Sequence, residues 1–228
     1  RIDSPYDSVV DEDDPHESFK VQKLSNDELY WRPAVELRGE GVFLELVEDA
    51  VEEWEDSQEV AELSTKLASA HDAWRHGRDL PDSPYPGARF MLLHSLSHVL
   101  IQSLALDCGY SATSIRERIY SAQDPTDPMA GVLLYTATPD SDGSLGGLAD
   151  QGSPRRLGPL LRDGLDRALY CSSDPLCGHR APGEIGNLNG AACHACLLVS
   201  ETSCERGNRY LDRAHLVDTV AQLGSGYF

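Results

Sequence analysis

The chain has 228 residues with 38 acidic against 19 basic side chains, a formal net charge of −19, and 40% hydrophobic residues. That balance excludes a general basic field able to hold free duplex DNA, while the length is sufficient for one large domain, or one domain with an extension, around a real core. No apolar run approaches the ~18 residues of a membrane span and no charged-then-apolar leader opens the chain, so the expectation is a protein of the reducing cytoplasm with no membrane partner.

Charge is unevenly spread. Residues 1–60 hold 19 acids and five bases, a net of −14, and the other 168 residues carry a net of only −5. Residues 1–29, with Asp11-Glu12-Asp13-Asp14-Pro15 and little hydrophobic periodicity, read as an acidic arm. Gly41–Leu46 alternates apolar and polar and predicts a strand. Val47–Ala70 places Val47, Val51, Trp54, Val60, Leu63 and Leu67 mostly at three- and four-residue steps, which predicts a helix. Pro81, Pro84, Pro86 and Gly87 mark a loop. A second, mostly apolar and therefore buried helix is expected over Ala88–Leu106, stopped by Cys108-Gly109.

Ser111 or Thr113 can cap a third helix over Ser114–Ser121. Turns at Asp124-Pro125 and Asp127-Pro128 lead into Gly131–Ala137, an unbroken apolar run of strand length expected at the centre of a sheet. The turn-rich Pro139–Leu148 then enters a helix around Leu157–Tyr170, and Arg206–Leu223 is predicted to close the chain as a helix. Two strands among five or six helices give the expected fold class: α/β, a helix-rich mixed domain with a small sheet and a C-terminal four-cysteine zinc module. There is no internal repeat.

That module rests on Cys171-x5-Cys177-x15-Cys193-x2-Cys196-x7-Cys204, five of the six cysteines within 34 residues. A tetrahedral Zn2+ site takes four soft thiolates delivered as two tight, convergent pairs, and Cys171/Cys177 with Cys193/Cys196 supply them across a Gly-rich loop. Cys204 is left as a spare or a substitute ligand. Set against this are a disulfide-stapled loop and inert core thiols; knuckle spacing and a reducing compartment favour the metal.

Other constellations are weaker. His94 and His98 share one helical face, but Ser95 stands where a zinc protease has its glutamate, so the pair reads first as hydrogen-bonded polar residues in helix packing and only second as a metal site. The Asp142–Gly147 turn could approach a phosphate, yet it lacks the lysine of a P-loop and the G-x-G-x-x-G order. Cys193-His194-Ala195-Cys196 could be a redox pair, which the second cysteine pair argues against. A zinc deaminase would need an upstream H-x-E, and a phospholipase-D-type nuclease an H-x-K; the chain has neither. Basic clustering is confined to the arginines, among them Arg206, Arg209 and Arg213, which would share one face of the closing helix as a candidate for nucleic-acid contact; a solvated face paired with acidic surface is the plainer reading.

The strings Leu93–His98, Cys108–Ser111, Ser114–Tyr120, Thr138–Leu148, Cys171–Cys177, Asn189–Cys196, Glu201–Glu205 and Leu211–Arg213, in this order, resemble the C-terminal zinc-binding domain of the B subunit of DISARM anti-phage systems. That domain is related to the module ending mitomycin-repair-type superfamily 2 DNA helicases. The resemblance covers about residues 88–220. It implies a helicase-associated zinc-binding domain over 30–228, with a zinc module at about 168–215 and ligands at Cys171, Cys177, Cys193 and Cys196. It also implies a superfamily 2 helicase as partner and DNA reached through the complex. The first two gaps between cysteines are longer here than in the helicase modules.

Two functional expectations result. One is a non-catalytic, zinc-stabilised accessory module of an antiviral defence or DNA-repair complex, with no catalytic residues of its own. The other is a metal-dependent phosphodiesterase or hydrolase using His94, His98 and Asp140 or Asp142.

Overall fold

A computed structural model describes residues 39–124, 126–136, 147–180 and 188–228, without the side chains of residues 107 and 108. The acidic arm, Asp140 and Asp142 lie outside the described residues. In chain order the elements are β1 (Gly41–Glu45), α1 (Glu48–Glu55), α2 (Gln58–His76), α3 (Ala88–Cys108), β2 (Ile115–Ala122), β3 (Met129–Thr136), α4 (Leu148–Gln151) and α5 (Pro154–Ala168). Two 3-10 turns follow, at Cys177–His179 and Arg213–His215. No helix among the described residues is long and apolar enough to cross a membrane.

The organising element is α3. Every residue from Ala88 to Ile101 is buried, as expected of a helix apolar on all sides. The sheet lies along one side of it, α5 packs along another, and α1 and the Arg213–His215 turn meet it elsewhere. Its C-terminus is closed by Gly109 in the left-handed conformation, φ 72°, the stop that the sequence predicts. Its N-terminal turn is tied by Arg89, whose guanidinium is buried and bridges Glu48 at 2.6 Å, Glu55 at 2.8 Å and the Ala122 carbonyl at 2.8 Å. One side chain thus joins α3 to α1 and to the end of β2.

The sheet is antiparallel in the order β1-β3-β2, so the apolar run of β3 is central, as expected. Its core face carries Val42, Ile115, Glu117, Ile119, Val132 and Leu134.

Three expectations about elements are corrected. Ser114–Ser121 is strand β2 rather than a helix: Ile115, Glu117 and Ile119 are buried while Arg116, Arg118 and Tyr120 face out, a period of two. The sheet therefore has three described strands, not two. The single helix over 47–70 is two helices, because Asp56-Ser57 breaks the run and Ser57, in extended conformation, starts α2 afresh.

The closing segment 206–223 is not a helix either. Asn208 and Tyr210 have positive φ, 60° and 63°, and residues 210–217 are buried without interruption, so no solvated helical face exists. Side chains take the place of helical partners: Asp212 N–H donates to Ser95 Oγ at 2.9 Å and Leu211 N–H to Asn189 Oδ1 at 3.0 Å. The chain end folds back on this segment through Tyr227 N–H to the His215 carbonyl and Phe228 N–H to that of Leu216.

Candidate metal centre

Cys171 follows α5 after a short turn, and Cys177 opens the first 3-10 turn. Asp174 shapes the bend between them, accepting the Leu176 N–H through its side chain at 3.0 Å and the Cys177 N–H through its carbonyl at 3.1 Å. On the other side, the Cys193 carbonyl accepts the N–H groups of Cys196, Leu197 and Leu198 at 3.1–3.2 Å, closing a tight knuckle. These two bends bring the four sulfurs together.

Sγ–Sγ separations are 3.5 Å for Cys171–Cys193, 3.7 Å for Cys177–Cys196 and 3.6 Å for Cys193–Cys196. No disulfide joins them, and all four ligand atoms lie within 4.8 Å of one another. A tetrahedron with Zn–S bonds of ~2.3 Å has edges of roughly 3.8 Å, so the thiols already stand at the corners that one zinc ion requires. A disulfide would bring a pair to ~2.0 Å, and inert core thiols would not converge. The donor set fits Zn2+.

Electrostatics agree with the fit. Burial pushes the Cys177 thiol up to about 11, and burial together with the Cys177 charge raises Cys196 as well. At Cys171 burial is outweighed by the Ser173 and Asp174 N–H groups, which lower it. Four thiolates crowded together repel one another, and a divalent cation at their centre converts that repulsion into attraction.

Arg213 is the main correction at this site. Its side chain is buried, Nε donating to the Ala191 carbonyl at 3.0 Å and Nη1 to the Ala168 carbonyl at 2.6 Å. It clamps the end of α5 to the stretch of chain entering Cys193, and its charge offsets part of the rise at Cys177 and Cys196. With the closing helix absent, Arg206, Arg209 and Arg213 share no face. Arg206 is exposed and stands 5.6 Å from the Phe90 ring centroid; Arg209 is half-buried, 5.8 Å from that of Trp74.

Sequence reasoning did not find the support beneath the knuckle. The Asp212 carboxylate accepts the N–H groups of Ala191 at 3.0 Å and Ala214 at 2.9 Å. Gly190 admits it, since a Cβ there would collide with Asp212 Oδ2. The signal available was the Asn189-Gly190 dipeptide beside a polar Leu-Asp-Arg run, which says turn but not partner.

His94 and His98 are fully buried on one face of α3, their rings 4.7 Å apart. Cys204 lies with them, 3.1 Å from His94 Nε2, rather than with the other four cysteines. Burial pushes the Cys204 thiol up, and the Glu117 charge adds to that.

Residues 96–197 match the family described as the MrfA Zn-binding domain. The match takes in all four clustered cysteines. The chain is also similar over its whole length to the DISARM protein DrmB of Bacillus paralicheniformis, 41% identical over 230 residues. It spans 39% of that relative's length.

Proposed function

Taking the MrfA-type Zn-binding domain over residues 96–197 as premise, we propose that the chain is a zinc-stabilised, non-catalytic accessory module of a DISARM-type anti-phage complex. In this reading Cys171, Cys177, Cys193 and Cys196 hold one Zn2+, the domain over 30–228 docks a superfamily 2 helicase, and DNA is reached through the complex. The observation that carries the reading is the convergence of four thiols at tetrahedral spacing from two tight bends, at 171–177 and 193–196. A closed four-thiolate site has no open position for water, so the ion stabilises structure instead of activating a nucleophile. Its binding free energy becomes folding free energy for the loop.

The hydrolase reading lacks comparable support. His94 and His98 are enclosed on every side, and both Nε2 atoms face Glu117, with His94 also against Cys204. That geometry leaves no entry for a phosphodiester.

The decisive experiment is co-purification with the products of neighbouring genes, for the wild-type chain and for Cys193→Ser. A helicase should copurify with the wild type and be lost, together with the zinc of the four-cysteine centre, from the variant. Retention of the helicase by a chain without the zinc of the four-cysteine centre would remove that metal from the docking account, and ATP turnover by the chain alone would end the accessory reading.

A further inference from the structure

We propose that His94, His98, Glu117 and Cys204 form a second, fully enclosed Zn2+ site, distinct from the four-cysteine centre. The four side chains come from α3, from the core face of β2 and from the C-terminal loop, and their ligand atoms all lie within 4.8 Å of one another. His94, His98 and Glu117 are fully buried in their side chains, and Cys204 is buried with them.

The hydrogen bonds around the cluster set its ligand atoms facing inward. His94 Nδ1 lies 3.2 Å from the Tyr210 carbonyl and His98 Nδ1 lies 2.8 Å from the Leu197 carbonyl. A carbonyl can only accept, so each Nδ1 carries a proton and Nε2 is the nitrogen each ring turns toward the centre, the one left to bind a metal. There the two Nε2 atoms face Glu117 Oε1 at 3.0 and 3.5 Å, and His98 Nε2 has no hydrogen-bond partner. Cys204 Sγ accepts the N–H groups of Asn208 at 3.1 Å and Arg206 at 3.4 Å, the support a metal-bound thiolate receives. Glu117 is held from outside by the Glu205 N–H at 3.1 Å and by the Ser97 hydroxyl. An outer ring of hydrogen-bond partners, carbonyls for the two imidazoles and donors for Glu117 and Cys204, thus points four ligand atoms inward at one position that a single cation fits.

Charge identifies the cation. One carboxylate and one thiolate against a divalent ion sum to zero, which suits a site with no access to water. Two imidazoles, one oxygen and one sulfur form a tetrahedral set of intermediate softness, and no fifth position is open; both features select Zn2+ over Mg2+ or Ca2+. The two centres are joined by one loop, since Cys193 and Cys196 belong to the first, Cys204 to the second, and Leu197 between them carries the carbonyl that orients His98.

The test is metal content by mass spectrometry on the purified full chain, with Cys204→Ala, His98→Gln and Cys193→Ser beside the wild type. Two zinc ions per wild-type chain are expected, falling to one in each variant. In the cobalt-substituted Cys193→Ser protein, the remaining ion should show about a quarter of the sulfur-to-metal charge-transfer intensity of a four-thiolate site, one thiolate in place of four. That band should vanish when Cys204→Ala is added. One zinc per wild-type chain, or two retained in both Cys204→Ala and His98→Gln, would overturn the proposal. The wild-type stoichiometry decides even if a variant fails to fold, and loss of zinc in Cys193→Ser with the second ion kept separates this site from the four-cysteine reading.

Discussion

Arg213 and Gly190 show how much of the four-cysteine centre depends on residues that touch no metal. Arg213→Lys keeps the charge but loses the planar fork that spans two carbonyls, Ala168 and Ala191. The expected outcome is zinc affinity weakened about 10- to 100-fold, the usual cost of a lost supporting contact, read by competition with a chromophoric chelator. Gly190→Ala drives a Cβ into Asp212 and displaces a carboxylate that accepts two N–H groups. A loss of roughly 2–3 kcal/mol in denaturant unfolding is expected, from overpacking and unsatisfied donors together. The four-cysteine cluster was legible because its residues form two short-spaced pairs, although the pairs meet each other across 19 and 22 residues, Cys177 with Cys196 and Cys171 with Cys193. Glu117 was not, because its partners His94, His98 and Cys204 lie on other elements, and no single-sequence pattern reports a contact across 88 residues such as Glu205 to Glu117.

At the scale of elements, the same glutamate explains why β2 looks helical in sequence. Ile115-Arg116-Glu117-Arg118-Ile119-Tyr120 alternates buried and exposed, yet a charged residue on the core face hides the apolar period of two. The closing segment misleads differently: Leu211, Ala214 and Val217 suggest helical spacing, but burial on all sides and side-chain partners for the backbone override it. By contrast α3 and β3 were readable, since long apolar runs leave little choice. Packing of α5 against α3 offers a paired test within one helix. A Cβ on Gly164 would meet Val99 Cγ1 at 2.6 Å and Ser103 Oγ at 2.8 Å, whereas one on Gly158 meets nothing within 4 Å. Gly158→Ala gains up to about 1 kcal/mol from helix propensity, but it precedes Pro159, whose ring opposes a Cβ on the preceding helical residue, so the two effects should leave it near neutral. Gly164→Ala receives the same gain but incurs an overpacking cost of about 1–3 kcal/mol, leaving a net loss. Thermal unfolding should therefore fall clearly in Gly164→Ala and hardly move in Gly158→Ala; an upward shift in Gly164→Ala would show that α5 can move away from α3.

For the whole molecule, charge decides how DNA can be met. With a net charge of −19, of which −14 falls in residues 1–60, long-range attraction to phosphate is absent from the chain alone. Its affinity for duplex DNA should lie near or weaker than the ~10⁻⁴–10⁻⁶ M of non-specific binders at physiological salt, and the complex with a helicase should bind far more tightly. Deleting residues 1–29 removes nine acids and three bases, so the truncated chain should bind more tightly at low salt and converge with the intact one as salt rises. Of the three arginines that the sequence puts on one surface, exposed Arg206 is the one positioned to reach a phosphate, and Arg206→Ala should lower the salt slope by about one. Arg213→Ala should destabilise the chain without changing that slope, because its guanidinium is enclosed between Ala168 and Ala191. A titration across a salt series, with both variants and the truncation in parallel, distinguishes these cases. Tight binding by the intact chain, indifferent to Arg206, would mean that DNA meets a surface other than the one beside the cysteine loop.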